Sequence, residues 1–489
     1  MSKTTKGNSF LLTSCMLVAL SGCMVGPTYK TPAAIMAPGF KEAAPASFAE
    51  DGWKPGQPSD TQLKGDWWTM FGDVQLNELE AQVDGANQTI KSAEANFRAA
   101  RAQIGVARSY EAPTIGVGPG ISSVRNSANQ PYFSRALDNN GLGNFSLPVD
   151  LNYEVDLWGR IRRGVTSARE QAQATDADLE NARLSLHAEL AMDYFGLRVD
   201  DAQTNLLDDT VKAYESALQL TKDRFEGGVS PQSDVTQAQT QLDQARVQRT
   251  DLEVQRAQYE HAIAVLVGKP PAALTLQPVS FASQAPELPR IPGMMPAGLL
   301  ERRPDIAGNE RRMASANEQI GIAQAAFYPT LSISASGGFE GTSALNWFTW
   351  PSRFWAVGPS LSETVLDGGR RKAAKRMTVA QYDMTVADYR QTVLTAFQQV
   401  EDNLAALRVL SHEAQQQQQA TASAEQSLDL FETRYEGGVD TYLQVVTWQT
   451  AALNNQRNDL DILQRRLDAS VLLIKALGGG WDTSKLPSS

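Results

Sequence analysis

Side chains able to do chemistry are few in this 489-residue sequence, and their placement narrows what they can do. The two cysteines, Cys15 and Cys23, lie near the N-terminus, so the nucleophilic thiol is confined to one end of the chain. The three histidines, His187, His261 and His412, fall in long polar stretches with helical spacing, read as helix-surface positions, and lack the paired placement by which imidazoles converge on a metal ion. The glycine cluster GVGPG at 116–120 is not followed by a helix start, and GLGNFS at 141–146 lacks the third glycine of a dinucleotide cradle. No P-loop pattern occurs in the sequence. These features argue against catalysis and against a resident metal or cofactor. They leave the Cys23 thiol as the group whose position suggests a reaction.

That reaction is acylation. Lys3 and Lys6 precede an apolar run from Phe10 to Leu20, roughly half of the ~20 residues that a membrane-crossing helix needs, so the run reads as a secretory signal. Leu20-Ser21-Gly22-Cys23 resembles the lipobox of bacterial lipoprotein processing, and cleavage would leave Cys23 as a lipidated first residue. Each buried CH₂ of an acyl chain contributes about 0.8 kcal/mol, and two or more chains hold a membrane stably where one does not. An ordinary signal with an incidental cysteine is the alternative. Cys15 leaves with the signal, so the mature chain has no disulfide framework even in an oxidising compartment. The formal charge of −11 becomes −13 once Lys3 and Lys6 are removed, which argues against nucleic acid as a partner.

The elements behind this anchor are written twice. RFEGGVS at 224–230 recurs as RYEGGVD at 434–440, an offset of 210 that also aligns Gly159-Arg160 with Gly369-Arg370 and Gly268 with Gly478. Upstream, QIGVARSYEAPT at 103–114 parallels QIGIAQAAFYPT at 319–330 with an offset of 216, so the halves differ in length between Pro113 and Gly159. The sequence divides into a signal (1–22), a lipidated extended segment (23–66), a first repeat (67–268), a proline-rich connector (269–297), a second repeat (298–478) and a tail (479–489).

Two periodicities alternate within each repeat. In FSLPVDLNYEVDLW at 145–158 the odd positions are apolar and the even ones mostly polar, a strand signal. Similar alternation runs through Leu331, Ile333, Ala335 and Phe339, through Trp355, Val357, Leu361 and Val365, and more weakly through Ile115, Val117 and Ile121. This predicts four strands, two per half, of the 9–11 residues that a tilted membrane strand requires. Tyr132 and Phe133 in one connection, and Trp347, Phe348, Trp350 and Phe354 in the other, could form an interfacial girdle; Glu363, on the apolar parity, is expected near the rim. A soluble half-buried sheet is the competing reading. Four strands cannot close a membrane barrel, because an open edge in lipid leaves backbone groups unpaired, so other copies must complete it. Two copies would give eight strands and three would give twelve, and periodicity does not choose.

From Thr166 to Phe225 there is no proline and one glycine, Gly196, which predicts a continuous helix reaching about 90 Å. Leu207, Val211, Tyr214 and Leu218, and on the return Val235, Ala238, Leu242 and Ala245, keep heptad-like spacing, so long helices must lie side by side. The fold class is α+β and mostly α, with antiparallel coiled-coil helices continuous with a membrane sheet.

Taken together, CMVGPTYKTP after the cleavage site, YEVDLWGRIRR at 153–163, RFEGGVS and RYEGGVD, ERRPDIAGNERR at 301–312, LDGGRRKA at 366–373 and ALGGGW near the end resemble the TolC-like outer-membrane efflux factors, in their lipid-anchored branch. The resemblance covers essentially the whole mature chain. It implies a homotrimer whose three protomers share one twelve-stranded transmembrane β-barrel and one periplasmic α-barrel. It further implies a membrane-fusion adaptor and an inner-membrane RND-type transporter as partners, and outer-membrane lipid around the barrel. Carried over residue by residue, the helical tips that contact the adaptor become Gly227, Gly228 and Val229, and Gly437, Gly438 and Val439; the apolar constriction becomes Leu443. The family's acidic rings fall at Gln444 and Thr447 here, which puts an electrostatic gate in doubt, with Asp440 and Asp234 as further candidates. The expected function is a passive exit duct for drugs or other toxic small molecules. A duct for type I protein secretion and a structural envelope lipoprotein remain the alternatives.

Overall fold

A computed structural model of the protein describes residues 24–33, 39–42, 65–125, 127, 129, 142–279, 289 and 302–480. The signal, Cys15, Cys23, the aromatics Tyr132 and Phe133, most of the connector and the tail beyond 480 lie outside the described residues. In chain order come α1 (Val74–Ala86), α2 (Gln88–Ser109), β1 (Thr114–Val117), β2 (Gly120–Val124), β3 (Leu142–Val155), α3 (Arg160–Glu226) and α4 (Gln232–Leu266). The second half has α5 (Pro304–Ala325), β4 (Thr330–Gly341), β5 (Arg353–Ser362), α6 (Arg370–Glu436) and α7 (Tyr442–Ala476).

α3 and α6 set the dimensions. Each has 67 residues, about 100 Å at 1.5 Å per residue. Both start from a glycine in the left-handed region, Gly159 at φ 77° and Gly369 at φ 88°. A neighbouring aspartate caps each start: Asp156 accepts from the Ile161 and Arg162 amides at 3.1 and 3.0 Å, and Asp367 from the Gly369 and Arg371 amides at 3.0 and 3.1 Å. The predicted stripes are inward: Leu207, Tyr214, Leu218, Ala238, Leu242 and Ala245 are buried, with Val211 and Val235 packed against them. Gly196 is required by a close approach, since a Cβ there would lie 2.5 Å from the Tyr259 ring of α4.

The sheet is antiparallel, in the order β1–β3–β4–β5, with β2 also paired to β3. The expected first strand is two strands, broken at Gly118-Pro119, because proline lacks the N–H and fixes φ. Register places Ile115 opposite Leu151, Leu151 opposite Ala335 and Ala335 opposite Val357, so one face is apolar from edge to edge. The other face aligns Thr114, Asn152, Ser334 and Gly358. Ile115, Val117, Ile121, Trp355, Val357 and Leu361 are all more than 60 % exposed, an apolar surface too broad for water. Aromatic groups flank it: Trp347 stacks on Phe348 at 4.8 Å beyond one end, and Trp158 on Tyr328 at 4.7 Å at the other, with the Trp158 indole donating to the Pro329 carbonyl at 2.7 Å. β4, with 12 residues, spans about 40 Å, or roughly 28 Å of height at a ~45° tilt, which matches a hydrocarbon core. β5 ends at Ser362, before Glu363.

Below the sheet, the broadest core joins Trp67, Trp68 and Phe71 to α1, α3, α4 and α7 through Leu76, Tyr194, Phe195, Ile263 and Ile474. His261 and His412 are exposed, but His187 is not on the surface as expected. It is buried between Glu80, 2.6 Å from Nδ1, and Asp84, 3.3 Å from Nε2, and stacks on Trp68 at 4.5 Å. Burial alone would lower its pKa; the hydrogen bonds with Asp84 and Glu80 and their charges carry it up to about 9.

The described N-terminal segment crosses the outside of this framework. Met24 packs on Gly159 at the β3–α3 junction, and the Val25 amide donates to the Trp158 carbonyl at 3.1 Å. Further along, Tyr29 donates to Glu310 at 2.6 Å, and Glu401 accepts from the Lys41 and Glu42 amides at 2.6 and 2.8 Å.

Candidate functional site

The two helical hairpins end in tips of one design. At the first, the Gly227, Gly228 and Val229 amides donate to the Asp223, Phe225 and Arg224 carbonyls at 3.0, 2.9 and 2.8 Å; at the second, Gly437, Gly438 and Val439 donate to Thr433, Tyr435 and Arg434 at 3.0, 2.9 and 2.9 Å. Gly228 and Gly438 turn the chain at φ 72° and 75°, which an L side chain rarely adopts. Val229 and Val439 are left 69 % and 67 % exposed at the apex.

Arg224 joins the tips, a role the sequence did not announce. Its guanidinium donates to the Tyr435 carbonyl at 2.8 Å and lies 4.6 Å from the centre of the Tyr435 ring, so the first hairpin grips the second across the chain. The matching arginine, Arg434, instead pairs with Asp440 inside its own hairpin. Asp440 is thereby partly neutralised. Tyr214, Tyr435 and Tyr442 form an aromatic cluster beneath, with the Tyr435 and Tyr442 rings 5.3 Å apart. Burial, then the neighbouring tyrosines and Glu432, raise the Tyr442 pKa, and Asp234, half-buried in the first turn of α4, adds the smallest part.

Leu443, Gln444 and Thr447 lie on the first turns of α7, all exposed, with the Thr447 hydroxyl donating to the Leu443 carbonyl at 2.8 Å. Leu443 and Thr447 share one face by their spacing of four. The local chemistry is an apolar side chain flanked by uncharged polar ones. Among the described residues no cluster of His, Cys, Asp and Glu could hold a metal ion, and no helix is long and apolar enough to cross a membrane.

The paired strands and paired hairpins match proteins of known type. The pattern of the outer membrane efflux protein family fits residues 81–269 and 296–479. The toluene efflux pump outer membrane protein TtgF of Pseudomonas putida is 32 % identical over 474 residues, covering 96 % of this chain and 97 % of that protein. OprJ of Pseudomonas aeruginosa is 31 % identical, covering 96 % of each. The solved outer-membrane channel OprN superposes with a TM-score of 0.84 at 27 % identity, covering 94 % of this chain and all of that one. Since the family pattern spans both strand pairs and both hairpins, and these relatives match nearly end to end, the chain belongs to the outer membrane efflux protein family and resides in the bacterial outer membrane.

Proposed function

We propose that three copies of this chain form the outer-membrane exit channel of a tripartite efflux pump, a passive duct without catalytic activity that carries toxic small molecules outward. The sheet edge carries this reading: the outer edges of β1 and β2 at one side and of β5 at the other pair with no strand among the described residues, while the face between them is apolar. Lipid tolerates no such edge, so neighbouring copies must pair with it. An inner-membrane RND-type transporter supplies the energy, and a periplasmic membrane-fusion adaptor meets the tips at Gly227–Val229 and Gly437–Val439, whose exposed valines offer an apolar contact. Relatives named for toluene efflux favour small apolar cargo. Deleting the gene is expected to raise sensitivity to a panel of solvents and drugs at least several-fold; unchanged sensitivity with lost protein export would overturn the assignment.

Closure is assigned to Leu443. Three leucines converging on an axis exclude water by dewetting, and Gln444 and Thr447 beside them add no charge. Oxidising a Leu443→Cys variant is expected to give disulfide-linked dimers within the resting trimer, visible by non-reducing electrophoresis. Purely monomeric chains under those conditions would place the constriction elsewhere.

Cys23 is proposed as the lipid attachment point. The residue after it, Met24, packs at the foot of the strands, a level from which acyl chains can enter the bilayer. Intact-mass measurement should find the mature chain beginning at Cys23 with added acyl mass, and Cys23→Ser should lose it.

A further inference from the structure

A cavity of about 310 Å³ lies between the hairpins, within a few turns of the tips. Ala217 and Leu220 of α3 form one wall; Glu432 and Tyr435 of α6, with Tyr442 and Gln449 of α7, form the other. Two of these groups have unmet hydrogen-bonding capacity although they are buried. Gln449 is 4 % exposed; its amide nitrogen donates to Glu432 at 3.2 Å while its carbonyl oxygen has no partner. The carboxylate fixes that orientation, because the flipped amide would set two acceptors against each other. Tyr435 is also 4 % exposed, and its hydroxyl has no partner. A buried polar atom left unpaired costs about 1–3 kcal/mol, so an N–H donor that reached either atom would be bound selectively.

The sign of that ligand follows from the lining. Glu432 and Glu436 are its charged members, and no lysine or arginine is among them. Burial, followed by the charges of Glu436 and Asp429, holds the Glu432 carboxyl above its usual pKa, so a cation arriving there would be welcomed. Arg224 lies outside the lining, committed to the Tyr435 and Glu436 carbonyls. An anion is repelled, a neutral apolar molecule leaves the acceptors unmet, and a quaternary ammonium brings charge without N–H donors. A primary ammonium supplies both, and the Tyr442 ring suits its charge and an attached apolar body, the Tyr435 ring already holding the Arg224 guanidinium. The volume is at the small end of ligand pockets and fits a fragment-sized molecule, larger than a lysine stem.

We propose that this cavity binds a small primary organic ammonium carrying an aromatic or aliphatic body, which bridges the two hairpins. The binding stands on the cavity alone. Its consequence, that an occupant holds together units that must part for the entrance to open, rests on the duct reading.

Calorimetric titration of the full-length, detergent-solubilised protein with phenethylammonium tests the binding. Saturable uptake of one molecule per protomer is expected, weakened about tenfold or more by Glu432→Gln and by Ala217→Phe, which fills the space. On the unmodified protein, 2-phenylethanol and the trimethylated ammonium should each bind about tenfold more weakly, an arm independent of how the variants fold. Equal binding of the alcohol, or unchanged binding in Ala217→Phe, would overturn the site. Tighter binding of Nα-acetyl-lysine amide would overturn the free amine in favour of a partner's lysine. None of these failures alters the symmetry of the particle, so they are distinguishable from failure of the duct itself.

Discussion

Arginine at Val357 is expected to prevent assembly in the outer membrane, whereas arginine at Ser334 is expected to be tolerated. Val357 is 65 % exposed in the protomer and sits opposite Ala335, which is itself opposite Leu151, at the middle of the apolar face. A lipid-facing arginine near the bilayer midplane of a barrel costs about 2–4 kcal/mol, and a trimer bears that cost three times. Ser334 is one residue from Ala335 yet pairs with Asn152 and Gly358 on the polar face, which a barrel turns toward its water-filled interior. The check is the amount of folded, heat-modifiable protein in isolated outer membranes. Equal tolerance at both positions would mean that the sheet does not face lipid.

The second large effect is expected at Arg163, whose side chain is 4 % exposed. Its guanidinium pairs with Glu318 at 2.6 Å and donates to the Val25 and Pro27 carbonyls at 2.8 and 3.3 Å, so one group ties α3, α5 and the N-terminal segment together. Gly321 makes room for it, and Gly26, at φ 114°, lets the segment pass that helix. Arg163→Met leaves the Glu318 carboxylate buried without its partner, a loss of about 3–5 kcal/mol. The double variant with Glu318→Leu should regain most of this, although the Val25 and Pro27 carbonyls stay unpaired. Thermal unfolding of the solubilised protein, with protease cleavage of the N-terminal segment as a local readout, separates the cases. A single variant as stable as the parent would show that the ion pair holds nothing in place.

Much of this architecture was legible because it is periodic. Alternation at 145–158 and 331–339 located β3, which ends at Val155, and β4, and the proline-free stretch from Thr166 to Phe225 located α3, which starts six residues earlier, at Arg160. The tip glycines were legible as turns because a reversal needs a residue that accepts positive φ. What escaped was non-local or concealed. The Arg224–Tyr435 contact spans 211 positions, and the two tip motifs differ by Phe225 against Tyr435 and Ser230 against Asp440, changes that periodicity cannot weigh. His187 looked like a surface residue because its acidic partners, Glu80 and Asp84, belong to another helix. The break between β1 and β2 was written in Gly118-Pro119 but hidden by the weak alternation around it.

The central claim is that an incomplete sheet from each of three chains closes into one barrel standing on one helical tube. Electron cryo-microscopy of the detergent-solubilised particle tests it most directly. The expected map has three-fold symmetry, twelve strands in one closed wall and a helical stalk on the order of 100 Å long. A monomeric particle, or one with a different number of copies around the barrel axis, would contradict it.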